Sequence, residues 1–210
     1  MDDEAAAAAT WDRLAGRYGA QERHELAAID TAVGLAAAQP GDRLVDLATG
    51  TGLLLHRLAA APVRPREAIG VDRSAGMLAR VGDLPAGWST LNADARAVPL
   101  PDGSADVVTC AYLLQLLDPD DRAAVLAEAR RLLAREASAA PRLVVVTTWA
   151  EGRLTRAALD RLARARPATA GGMRPLDPAD DLARAGFATT RREVLARGRY
   201  PSLVLAAQPR

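Results

Sequence analysis

Three short blocks of this 210-residue chain place a carboxylate or a glycine turn at the end of an apolar run. In the first, Leu44-Val45-Asp46-Leu47 leads into Ala48-Thr49-Gly50-Thr51-Gly52. A glycine-rich turn between a strand and a helix lets a ligand approach the backbone closely, although tight turns also serve packing alone. The third glycine of a dinucleotide fingerprint is replaced by Leu55, so a nucleoside without a pyrophosphate fits better. In the second block, Ala68-Ile69-Gly70-Val71 ends in Asp72, twenty positions after Gly52. A carboxylate there can accept from both hydroxyls of a ribose, or cap the helix that begins at Ser74. The third block is Leu91-Asn92-Ala93-Asp94-Ala95, followed by the stretch Val98-Pro99-Leu100-Pro101-Asp102-Gly103-Ser104-Ala105-Asp106.

The elements that would carry these blocks alternate between short β-branched or Leu-rich runs and longer stretches with helical spacing, as in a parallel sheet covered by helices. Strands are expected at Arg43–Leu47, Glu67–Val71, Ser89–Asn92, Ala105–Cys110 and Arg142–Thr148. Helices are expected at Glu22–Ala38, Thr51–Ala60, Ser74–Val81 and Pro119–Arg135, the last opened by Asp118 as cap and Pro119 in the first turn. After a short helix over Asp177–Ala185, two more strands, Phe187–Leu195 and Ser202–Ala207, are joined by a turn too short for a crossover helix. They must therefore run antiparallel to each other.

Composition narrows the possible functions. The 27 basic residues, all Arg, and 26 acidic ones nearly cancel, so no basic field invites nucleic acid. A single Cys110 and two His residues leave no Cys/His metal site and no intramolecular disulfide. The longest apolar runs fall far short of the about 20 residues that cross a bilayer. The start Met1-Asp2-Asp3-Glu4 is acidic where a secretion signal is basic. The reading is one cytoplasmic domain, with 1–40 as an N-terminal helical cap and 150–176 as a substrate-side insertion.

In order and spacing, the three blocks resemble the class I S-adenosylmethionine-dependent methyltransferases, in particular the small-molecule branch that includes the ubiquinone and menaquinone C-methyltransferases. The likeness covers about Arg43 to Leu133. It implies a Rossmann-like α/β three-layer sandwich whose seven-stranded sheet has the order 3-2-1-4-5-7-6 and an antiparallel last strand, in accord with the C-terminal hairpin. It also implies S-adenosylmethionine as cofactor and S-adenosylhomocysteine as product. By the same resemblance, Asp46, Ala48, Gly50, Thr51 and Gly52 line the methionine half and Asp72 holds the ribose. Asp94 accepts from the adenine amino group, the amide of Ala95 faces the ring, and Met77 packs on it or simply fills core. Ala48 stands where many relatives carry glycine, and Glu136-Ala137-Ser138-Ala139-Ala140-Pro141 replaces a Gly-Gly loop.

Methyl transfer from a sulfonium needs alignment more than acid–base machinery, and a base helps only if the acceptor must lose a proton. His24 and Tyr18 are the candidate catalytic residues, and His56 is a weaker one. Trp11, Tyr18, Tyr112 and Trp149 fall on segments that should reach the acceptor, which suggests a flat or aromatic molecule, although the same rings could anchor a lid. Arg153, Arg156, Arg161, Arg164 and Arg166 either grip an acceptor carboxylate or form a solvated helix face. The expected partner is a small molecule, with no nucleic acid and no membrane, and the protein is a monomer or homodimer. Enzymes that keep such a site but catalyse a pericyclic or elimination step, or a non-catalytic partner protein, are the alternatives.

Overall fold

The computed structural model describes residues 23–133, 140–152, 174–196 and 201–210 and the single positions Thr155 and Arg161. Trp11, Tyr18, most of the Arg-rich segment and the turn 197–200 lie outside the described residues.

Seven strands, β1 (Arg43–Leu47), β2 (Glu67–Asp72), β3 (Ser89–Asn92), β4 (Val107–Ala111), β5 (Arg142–Thr148), β6 (Phe187–Leu195) and β7 (Ser202–Pro209), form one sheet in the order 3-2-1-4-5-7-6. Neighbours are parallel from β3 to β5, while β7 runs antiparallel to both β5 and β6. The central strands read as unbroken apolar runs because both faces are covered. Val107 to Cys110 of β4 and Leu143 to Thr148 of β5 are all buried. By contrast, β6 exposes Thr189 to Val194, a stretch carrying Arg191, Arg192 and Glu193 on the free edge, where charge discourages pairing with another chain.

Helices cover both faces. Helix α1, residues 23–36, and α2 (Leu53–Ala59) pack Ala28, Ile29, Ala32, Ala36, Leu54, Leu55 and Leu58 on one side. After α3 (Ala75–Leu78), helices α4 (Pro119–Leu132) and α5 (Ala179–Arg184) place Leu126, Leu132 and Leu182 on the other. Asp118 caps α4 by accepting from the Asp121 amide at 2.9 Å, and Pro119 follows in the first turn. Helix α4 stops at Leu132, short of the expected Arg135, because Leu133 turns extended and bridges Ala105. That bridge also explains why β4 starts at Val107.

Helix α4 in turn fixes the long connection from β3 to β4. Glu128 accepts from the Val98 amide at 2.6 Å. Arg131 donates to the carbonyls of Val98 and Leu100 at 2.9 and 2.8 Å and pairs with Glu128 and Asp102. Helix α3 is shorter than the expected Ser74–Val81 because Val81 serves a different contact. A β-carbon on Gly52, where φ is +81°, would stand 2.8 Å from Val81 Cγ1, and the Val81 carbonyl is 2.5 Å from Nε2 of His56 on α2. His56 is thus tied to the fold. Strain and overlap together predict that Gly52→Ala destabilises by about 2 kcal/mol, which for a domain of this size lowers Tm by about 4 to 8 °C. Calorimetric melting checks this, and an unchanged Tm refutes the packing role.

Candidate active site

The turn after β1 alternates handedness. Ala48, Gly50 and Gly52 all have positive φ, at 58°, 57° and 81°. For Ala48 that conformation costs about 1 to 2 kcal/mol, and the turn is held against it from outside. The Thr49 amide donates to the Val71 carbonyl at 2.9 Å. Asp72 does more, since its Oδ2 accepts from the Gly50 amide at 2.9 Å and its Oδ1 from the Ser74 amide at 2.8 Å. Ser74 then caps α3 by accepting from the Met77 amide at 3.1 Å. Both sequence readings of Asp72 therefore touch the same carboxylate: it braces the turns, and it faces a cavity.

That cavity, about 300 Å³, lies beyond the carboxyl ends of β1 to β4, at the switch point where open α/β sheets bind ligands. Its walls are Ala48 and Gly50 after β1, Asp72, Arg73 and Met77 after β2, Ala93 to Arg96 after β3, and Ala111 to Leu113 after β4. Leu116, Leu117 and the α4 residues Asp121 and Val125 close it. Beyond Gly50 and its two chain neighbours, no heavy atom lies within 4 Å of where a β-carbon on Gly50 would stand. Gly50 is thus the turn glycine that leaves open space, and a nucleoside with an amino-acid tail fits a cradle of this kind.

Asp46, Thr51 and Gly52 do not line the cavity. Asp46 sits beneath the turn, 2% exposed, and accepts from Thr109 Oγ1 at 2.7 Å. Burial pushes its carboxyl up to about 6, with the Thr109 hydrogen bond opposing the shift. Asp94 experiences the reverse. The Nε and Nη2 of Arg96 donate to its two oxygens at 3.0 and 2.7 Å, and these bonds hold its carboxyl below the usual carboxylate range.

Tyr112 lines the cavity in a left-handed conformation, φ 57°, with its amide donating to the Val146 carbonyl at 2.8 Å. Its phenol oxygen lies 2.8 Å from Ser202 Oγ and is pushed above its ordinary range, chiefly by burial. Trp149 packs against the α4 face with the Arg192 guanidinium 5.0 Å over its ring, and is not among the cavity walls. His24 is half-buried, contacts Arg23 at 3.4 Å and is likewise absent from the walls.

Three residues at or near the site went unnoticed in the sequence. Arg96 and Asp121 on the cavity wall form an ion pair at 2.7 Å. Glu25 on α1 is only 3% exposed, and its charge contributes to raising the Tyr112 phenol. A signal for Glu25 existed: it stands three, four, seven and eleven residues before the buried Ala28, Ile29, Ala32 and Ala36, on the apolar stripe.

The methyltransferase domain family matches residues 44–136, a segment that runs from β1 past the end of α4 and includes all of the cavity-wall residues. The match covers 93 of the 210 residues. The chain is 36% identical over 117 residues to a 2-phytyl-1,4-naphtoquinone methyltransferase of Synechococcus elongatus, covering 52% of this chain and 48% of that protein. It is also 36% identical over 107 residues to the ubiquinone/menaquinone biosynthesis C-methyltransferase UbiE of Xanthomonas campestris, covering 48% and 42%. The chain thus spans about half the length of the curated relatives it matches. In fold it resembles the magnesium protoporphyrin IX methyltransferase ChlM of Synechocystis, solved with bound S-adenosylhomocysteine, with a TM-score of 0.66, 20% identity and 91% and 87% of the two chains covered. The class I methyltransferase fold and its strand order are those expected from the sequence.

The buried Asp46 carboxyl gives the fold a built-in pH dependence. The folded state holds the Asp46 proton up to about pH 6, whereas the unfolded chain releases it near 3.8. The resulting stability is full below pH 3.8 and is lost as pH rises to about 6, a contribution of about 3 kcal/mol. Asp46→Asn should remove that slope in denaturant melts across the window. A slope retained in the variant assigns it to another group.

Proposed function

We propose that this protein is an S-adenosylmethionine-dependent methyltransferase acting on a small, flat organic acceptor, releasing S-adenosylhomocysteine. The observation that carries this reading is the cavity at the β1/β4 switch point, where Gly50 leaves open space and the Asp72 and Asp94 carboxylates stand on the walls after the neighbouring strands. Ala48 and Gly50 receive the amino-acid end, with Asp46, Thr51 and Gly52 holding the turn from behind. Asp72 accepts from the ribose hydroxyls, and Asp94 with the Ala95 amide reads the adenine edge. Met77 packs beside the base.

When bound, S-adenosylmethionine supplies an activated methyl group on a sulfonium. The chain has to align an acceptor with it and exclude water. Tyr112 and the apolar residues Leu113, Leu116 and Leu117 offer walls suited to a planar ring. Quinone methyltransferases among the relatives support an aromatic or quinol acceptor. If that acceptor must lose a proton, Tyr18 and His24 are the residues proposed to take it, while Trp11 and Trp149 flank the acceptor side.

Titration of the purified protein with S-adenosylmethionine and S-adenosylhomocysteine tests the cofactor site directly, with micromolar binding of both expected and no binding overturning the reading. Asp72→Asn should weaken both ligands by about 1 to 3 kcal/mol, the usual penalty for a lost buried acceptor. Incubation with a reduced 1,4-naphthoquinone should then give a product heavier by about 14 Da with stoichiometric consumption of cofactor. An unchanged mass with the cofactor intact would favour pericyclic or elimination chemistry at the same site.

A further inference from the structure

The strongest cluster the proposed chemistry leaves unused is Arg96 between two carboxylates. Its backbone amide and its Nε both donate to Asp94 Oδ1, at 2.8 and 3.0 Å, and its Nη2 donates to Asp94 Oδ2 at 2.7 Å. Its Nη1 donates to Asp121 Oδ1 at 2.7 Å, on the first turn of α4. All three side chains line the cavity. The two oxygens of Asp94 are thereby made unequal. A carboxylate oxygen accepts about two hydrogen bonds, so Oδ1 is filled by residue 96 alone, while Oδ2 keeps one acceptor position.

We propose that Arg96 sets the nucleobase specificity of the site: it clamps Asp94 so that a single oxygen is offered to an exocyclic amino group, and Asp121 anchors the clamp to α4. The inference rests on the cofactor reading above and deepens it. A fixed, ionised carboxylate accepts from the amino group of adenine and repels the carbonyl oxygen that replaces it in hypoxanthine. A guanidinium is suited to the clamp because its rigid planar fork meets both carboxylate oxygens side by side while a further N–H reaches a third acceptor, a geometry the point charge of an ammonium does not match. The same fork keeps Asp94 ionised as pH falls.

The test compares S-adenosylhomocysteine with its deaminated analogue, S-inosylhomocysteine, by calorimetry on the full chain, its Arg96→Met and Arg96→Lys variants and Asp121→Asn, with melting curves confirming that each is folded. The wild type should prefer the adenosyl ligand by about a hundredfold. In both Arg96 variants the adenosyl ligand should lose about tenfold while the inosyl ligand changes less than about twofold, so the preference collapses. Asp121→Asn should lower the preference by a smaller factor. Equal losses on both ligands would reduce Arg96 to a structural residue, and tighter adenosyl binding in Arg96→Met would show that it obstructs the site. Either result overturns the proposal while leaving the cofactor reading standing. A wild type that binds neither ligand overturns the cofactor reading itself.

Discussion

The Asp72 carboxylate is the joint on which the site depends. By accepting from the Gly50 and Ser74 amides, it links the turn after β1 to the turn after β2, two strands already paired in register through Asp46 and Gly70. That brace, with the Thr49 amide bond to the Val71 carbonyl, holds Ala48 left-handed, a conformation unfavourable for a residue with a β-carbon. With it, the chain leaves β1 at an angle that starts α2, turns Gly50 toward open space and sets the cap of α3. One side chain therefore ties together the starts of two helices and what lies between them.

The cavity illustrates how environment separates chemically equal groups. Asp46 and Asp94 are both aspartates following apolar runs, yet one is driven toward neutrality by burial and the other is held charged by a guanidinium. Their roles divide accordingly. Below about pH 6 a protonated Asp46 under the turn keeps charge out of the core between β1 and β4, and Thr109 satisfies one of its oxygens. Asp94 stays ionised at the cavity wall, where a charged acceptor can be used.

Much of this architecture was legible in the sequence because it depends on local patterns. The apolar runs of β1, β4 and β5, the Asp118-Pro119 start of α4 and the turn too short for a crossover between β6 and β7 each follow from nearest-neighbour chemistry. What was not legible depends on contacts across long sequence separations. That Gly52 serves Val81 while Gly50 serves the cavity cannot be read from a Gly-x-Gly string. The end of α4 is set by Leu133 meeting Ala105, and the grip of Arg131 on Val98 and Leu100 spans more than thirty positions. Nothing in the sequence singles out Arg96 among the 27 basic residues, and only the fold brings Asp121 to it. His24 drew attention for its residue type, while its neighbour Glu25, on the buried stripe, is the residue whose charge reaches Tyr112.

The acceptor side has its own constraint, and it involves the antiparallel strand. Tyr112 leaves β4 left-handed, a conformation costly for an aromatic residue, and two bonds hold it there. Its amide reaches Val146 on β5 and its phenol reaches Ser202, the first residue of β7. Because β7 runs against β5, its first residue lies at the carboxyl end of the parallel strands, beside Thr148 in the pairing register. A parallel strand in that place would present its last residue there instead, and the hairpin from β6 could not deliver Ser202 to the phenol. The reversed strand thus does more than finish the sheet: it supplies the partner that keeps an aromatic wall of the cavity in its strained position.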